Sequence, residues 1–135
     1  MNAHANKELA QKLYRLFNEA RIDEALELAT EDVEVILIPF GQTFHGRKGF
    51  GEFMGGFKQA FPDLTVTVTN QVATDDQVVS ECRWTGTHTG PLLAPTGEIP
   101  PTGKTVDGAV FCEVWQIQDG KLAVLRNYQD VATWL

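Results

Sequence analysis

Leu9, Leu13, Leu16, Phe17 and Ala20 recur at helical spacing with polar residues between them, which predicts a helix over about residues 6–20. Tyr14 interrupts this stripe and is placed at its margin. Asp23 caps a short second helix, DEALELA, with Leu26 and Leu28 on its buried side and Glu24 and Glu27 outside. The period then changes. VEVILIP, residues 33–39, is rich in β-branched residues and runs into a Pro-Phe-Gly turn, so it reads as the first strand. Helical spacing returns over about residues 48–60, where Phe50, Phe53, Met54 and Phe57 form a stripe that Phe61 continues and Pro62 stops. Gly49, Gly51, Gly55 and Gly56 each weaken that helix by up to ~1 kcal/mol relative to Ala, so packing must hold it.

LTVTVTN sets Leu64, Val66 and Val68 against Thr65, Thr67 and Thr69, the alternation of a half-exposed strand. Asp75 and Asp76 turn the chain into a long strand with Cys82, Trp84, Gly86 and His88 on one face and Glu81, Arg83, Thr85 and Thr87 on the other. A loop dense in Pro and Gly follows (Gly90, Pro91, Pro95, Gly97, Pro100, Pro101, Gly103), which can carry neither a helix nor a central strand. Such loops sit at the surface and often carry function, so His88 at its mouth marks a pocket. Residues 105–117 form the next strand, and Asp119-Gly120 turns it into the last, KLAVLRNYQDV. The order is ααβαββββ. Helices followed by a meander predict one α+β domain over residues 1–135, with three helices on one face of a curved antiparallel sheet.

Composition narrows the function. At 135 residues the chain makes one domain around one core. With 43% hydrophobic and 21% charged residues and no apolar run near the ~20 residues of a membrane span, it reads as a globular protein without a membrane partner. The start, MNAHANKELAQ, lacks the apolar segment of a signal peptide, so a cytoplasmic location is expected. A net charge of -7 and the absence of a basic cluster argue against nucleic acid. Cys82 and Cys112 have no CxxC or Cys/His spacing and read as free thiols, neighbours on one face if their strands pair symmetrically. His4, in an expected disordered tail, His45, before Gly46 at a helix start, and His88 show no metal spacing, so neither metal nor cofactor is expected. There is no GxGxxG, Walker-type or GxSxG motif.

The runs GTHTGPL, GEIPPTGK, DGK and NYQD together resemble the SnoaL-like polyketide cyclases, a branch of the nuclear transport factor 2-like superfamily, over nearly the whole chain. The resemblance implies a cone-shaped sheet closed by helices around a pocket, a homodimer formed through the exposed sheet face, and an acid/base aspartate at the position of Asp130. Two other enzymes of that superfamily fit less well. Limonene epoxide hydrolases share NYQD but also use an Arg-x-Asp pair on the strand here written ECRWT, where no aspartate follows. Ketosteroid isomerases place their base in an Asp-Pro-x-Gly context, whereas here Ile38 precedes Pro39.

The expected function is therefore a cofactor-free acid/base enzyme acting on a small apolar carbonyl compound, in the family's version an intramolecular aldol cyclisation. A binding module on the same cone is the alternative. Asp130 is the expected base and His88 or Tyr128 the expected oxyanion partner, with Tyr128, Gln116, Trp84, Phe53 and Phe57 around the substrate. Asp130 shares the even face of the last strand with Val124, Arg126 and Tyr128. A three-residue hairpin loop, with Ile117 opposite Lys121, makes the even faces of both strands coincide and is the register chosen. A two-residue turn would instead set Asp130 with Glu113 and Trp115. The structural alternatives are a surface carboxylate for Asp130 and a loop-bonding histidine for His88. Asp63, after Pro62, is read as a turn residue bonding nearby amides.

Overall fold

Asn2 accepts the amide of Ala5 at 2.7 Å and starts the first helix, α1 (Ala3–Asn18), in the computed structural model, which describes residues 2–134. His4 is therefore helical, paired with Glu8 one turn on at 2.9 Å, and not part of a loose tail. Ala20 lies past the helix end with φ of 58° and is exposed, whereas Tyr14 is buried beside Leu13 and Phe17. Then come α2 (Ile22–Leu26), β1 (Ala29–Leu37), a 3-10 turn at Ile38–Phe40, and β2 (Gln42–His45), a short strand that the sequence reading missed. α3 (Gly46–Ala60) packs so closely on β2 that a Cβ at Gly49 would stand 2.9 Å from the backbone of Phe44. That glycine is a contact requirement and not a flaw in the helix.

The remaining strands are β3 (Thr65–Ala73), β4 (Gln77–Thr87), β7 (Thr105–Gln118) and β8 (Lys121–Gln129), with a small ribbon, β5 (Leu92–Ala94) and β6 (Gly97–Ile99), inside the Pro-rich loop. The main sheet runs β2-β1-β8-β7-β4-β3 and is α+β as expected, but mixed: β1 pairs with β8 in parallel, and the other pairs are antiparallel. No described helix is long and apolar enough to cross a membrane. Its inner face carries Val33, Val35, Val78, Cys82, Trp84, Phe111, Trp115 and Leu125 against α1 and α3. Cys82 faces Phe111 on that side, while Cys112 pairs with Glu81 on the other, so the two free thiols do not share a face.

Among the described residues, three bulges in the antiparallel pairs set which residues look inward, beside an irregularity in the parallel β1–β8 pair between Ala29 and Glu34. Asp119 and Gly120 both have positive φ, 52° and 76°, giving a two-residue turn with Gln118 opposite Lys121. The three-residue register chosen from the sequence is thus corrected. Ala123 is then extra between Ile117↔Leu122 and Gln116↔Val124, which restores even-to-even pairing, and the odd faces of β7 and β8 are the ones that meet inside. Gly108 and Thr69 are the extra residues of the other two bulges.

Asp63 ties the start of β3 to the end of β4: its Oδ1 accepts from the Thr87 amide at 2.7 Å and its Oδ2 from the Thr87 hydroxyl at 3.0 Å. The bond reaches 24 residues along the chain, further than the local turn expected. The amide of Thr87 holds this carboxyl below its ordinary pKa. A depressed folded pKa stabilises the fold above the unfolded value and is lost as pH falls through the folded one. Asp63→Asn should therefore flatten the acid limb of a melting temperature against pH curve, and an unchanged acid limb would remove Asp63 from it.

Candidate functional site

α1, α3 and the inner sheet face enclose a cavity of about 70 Å³. Leu13 and Phe17 of α1, Phe50, Phe53, Met54 and Phe57 of α3, and Trp84, Phe111 and Leu125 of the sheet form apolar walls. Phe53 stands edge-on to both Phe44 and Phe57, at 5.5 Å in each case. The polar lining is Tyr14, Glu113, Asn127 and Gln129, and these four belong to one connected network.

Glu113 is its centre. Position 113 is on the inward side of β7 between Phe111 and Trp115, and opposite Asn127 of β8. The carboxylate is 5% exposed; Oε1 accepts from the Tyr14 hydroxyl at 2.7 Å and Oε2 from Asn127 Nδ2 at 2.8 Å. Asn127 Oδ1 accepts from Gln129 Nε2 at 2.6 Å, and Gln129 Oε1 accepts from the indole N–H of Trp134 at 2.9 Å. An indole nitrogen only donates, so Trp134 fixes which way both amides face and ensures that Asn127 offers a donor to Glu113.

Burial raises the pKa of Glu113, and the hydrogen bonds from Tyr14 and Asn127 oppose the rise without cancelling it. Burial, then the charge of Glu113, also push Tyr14 well above its ordinary value, so the phenol remains a donor. Cys82 lies beside them, and burial raises its thiol to about 12, which removes it as a nucleophile at neutral pH. The arrangement is a carboxylate of increased basicity in an apolar enclosure, steadied by two donors. It can take a proton from a bound molecule and return it.

Of the residues expected from the sequence, Trp84, Phe53 and Phe57 line this cavity. The polar ones do not. Gln116 and Tyr128 lie on the outer face, Tyr128 41% exposed opposite Cys112. Asp130 is exposed beyond the end of β8, where its Oδ1 accepts from the Ala132 amide at 3.1 Å and caps a 3-10 turn, Val131–Thr133. Parity explains this: the even face of β8 is the outer one. His88 is buried on the inner face but stacks on Phe61 at 5.0 Å, and its Nδ1 meets Thr102 Oγ1 at 3.1 Å. It binds the Pro-rich loop, as the structural alternative had it, and is not among the cavity residues.

Glu113, Tyr14 and Asn127 were missed. One signal was present: Glu113 is the single charge in the otherwise apolar run VFCEVW, and a charge there is either on the outer side or buried with partners. Tyr14 likewise sits four residues after Ala10 and three before Phe17, inside the stripe and not at its edge.

The family model described as SnoaL-like polyketide cyclase matches residues 7–135. Among solved structures, the chain is similar to a candidate SnoaL-like polyketide cyclase from Jannaschia sp. CCS1, with 25% identity and a TM-score of 0.81 over 96% of this chain and 88% of that one. It is also similar to a candidate polyketide cyclase from Xanthomonas campestris pv. campestris, at 22% identity and a TM-score of 0.79 over 99% and 96% of the two chains. A third, from Pseudomonas putida KT2440, gives 22% and 0.76 over 96% and 94%. No curated protein matches the sequence.

Proposed function

This chain belongs to the SnoaL-like polyketide cyclase family, and from that premise we propose that it is a cofactor-free acid/base enzyme acting on a small, largely apolar carbonyl compound, with Glu113 as the base. The observation that carries the reading is the buried Glu113 carboxylate facing an apolar cavity while held by Tyr14 and Asn127. In the family's version of the reaction, Glu113 removes a proton from a carbon flanked by carbonyls. The enolate carbon then bonds to a second carbonyl carbon of the same molecule, whose π electrons move onto oxygen. That alkoxide takes the proton back, so no co-reactant is consumed. Tyr14 remains protonated, and once Glu113 has taken the proton the single Tyr14 O–H is released from the carboxylate and can donate to an oxyanion.

The test is protein-catalysed exchange of α-protons of cyclohexanone and acetophenone in D2O, followed by NMR. Exchange above the buffer rate supports the reading. Ketone binding without exchange supports the alternative, a binding module on the same cone. A second catalytic reading retains Asp130 as base with His88, on the family position of that aspartate, and requires the chain after β8 to turn inward.

The proposal includes a homodimer through the outer sheet face in the cytoplasm. Val72, Val110 and Tyr128 are exposed there, Val110 by 57%, beside the half-buried Cys112 and Val114. Phe111 and Trp115, on that strand's other face, are buried in the core. Both cysteines are free, which fits a reducing compartment. Light scattering at micromolar concentration should give a dimer that Val110→Lys converts to monomer; a monomeric parent protein would end this part.

A further inference from the structure

An apolar cavity of roughly 150 Å³ takes up a single benzene ring, and the one here measures about 70 Å³. A ketone long enough to fold back on itself needs more room, so a wall must move. The helical walls are held throughout their length by the core. The indole of Trp134, packed behind the Phe57 and Trp84 wall, is held differently. Trp134 is 3% exposed, with its ring set edge-on to Phe57, Phe61 and Trp84 at 6.1, 6.0 and 5.9 Å, and its N–H bonded to Gln129. Phe57, Trp84 and Gln129 also line the cavity, so the indole and the cavity share walls. Among the described residues, the backbone hydrogen bonds of Ala132, Thr133 and Trp134 all end on Asp130 or Val131. None of those bonds reaches the sheet. It is one short turn anchored through side chains, and segments held so open locally at little cost.

We propose that Trp134 is a displaceable plug, an intramolecular occupant of the ligand's place, which swings out with the turn that Asp130 caps and closes again behind or beside the ligand. Withdrawal vacates the volume of a flat bicyclic ring next to the existing cavity. It also leaves Gln129 Oε1 without its donor, so a ligand bearing an O–H or N–H at that point completes the chain through Asn127 to Glu113 as the indole does. This second consequence rests on Glu113 as the site's base; the plug itself does not.

2-Naphthol reproduces both the shape and the donor. Trp134→Ala should bind it at least tenfold more tightly than the parent protein does by fluorescence titration, and should prefer it to 2-methoxynaphthalene, which has no donor. Adding Gln129→Leu should abolish the preference but not the binding. A folded Trp134→Ala protein that binds 2-naphthol no better than the parent overturns the proposal. The unaltered protein gives an independent check, because Trp115 is an equally buried indole in the sheet core. By NMR the indole N–H of Trp134 should exchange with solvent at least 100-fold faster than that of Trp115. Equal rates would mean that Trp134 leaves only when the whole domain unfolds, and the plug would be refuted. Neither readout uses proton transfer by Glu113, so a failed gate and a failed base are told apart.

Discussion

Glu113→Gln is expected to lower protein-catalysed α-deuteration of a small ketone by about 10²–10⁴-fold, the usual worth of a positioned general base, while ketone binding stays within about tenfold. The glutamine has the same shape and can be satisfied: its carbonyl accepts from Asn127, whose orientation Gln129 and Trp134 fix, and its amide donates to the Tyr14 oxygen. The fold should therefore survive, and stability supplies a second readout. The folded pKa of Glu113 is raised, so its contribution is fully favourable below the unfolded value and is lost as pH rises through the folded one. At neutral pH the parent protein carries that cost and the variant does not, so the variant's melting temperature should be unchanged or higher. Asp130→Asn is the matched control, since asparagine caps as well as aspartate does. It should leave both exchange and melting nearly untouched. If Asp130→Asn abolishes exchange and Glu113→Gln does not, the base lies in the C-terminal turn and Glu113 is scaffold.

The largest expected loss of stability is at Trp115. Its side chain has no exposed surface, Val78 and Leu125 flank it across the sheet, and its ring lies 5.6 Å from that of Tyr14. Trp115→Ala removes the indole from a close-packed site and should cost about 3–5 kcal/mol, transfer and cavity terms together. For a domain of this size that is a fall of roughly 10–20 °C in melting temperature. Tyr14 loses its ring contact, so its bond to Glu113 should loosen as well and exchange activity fall further than unfolding explains. A loss under about 1 kcal/mol in denaturant titration would show that the neighbours collapse into the space.

The inner face of β4 was legible because alternation there is clean, with Cys82 and Trp84 in and Glu81 and Arg83 out. α3 was legible for the same reason, its phenylalanines holding one period. β7 was not, since Val110, Cys112 and Val114 on one side are as apolar as Phe111 and Trp115 on the other, and the pattern names no interior. The facing of β8 depended on two local events, the turn at Asp119-Gly120 and the extra Ala123, and the sequence marks only the first. β2 has four residues behind a 3-10 turn, too few to show a period. The polar part of the candidate site was illegible accordingly: its walls are periodic, but Glu113 meets Asn127 through strand parity and Tyr14 through packing across 99 residues of chain.

Ala123 acts on the sheet as a single inserted base acts on a reading frame. Everything downstream of it in β8 is displayed in the phase it sets: Leu125, Asn127 and Gln129 to the interior, Arg126 and Tyr128 to the exterior. Deleting Ala123 would only make Leu122 and Val124 consecutive and leave these partners in place; pairing Ala123 with Gln116 in place of Val124 would instead carry every later residue over by one, presenting a guanidinium and a phenol to the cavity and expelling the amide that holds Glu113. Whether Ala123 is left extra or drawn into a pair is therefore as much a determinant of this protein's chemistry as any side chain on β8.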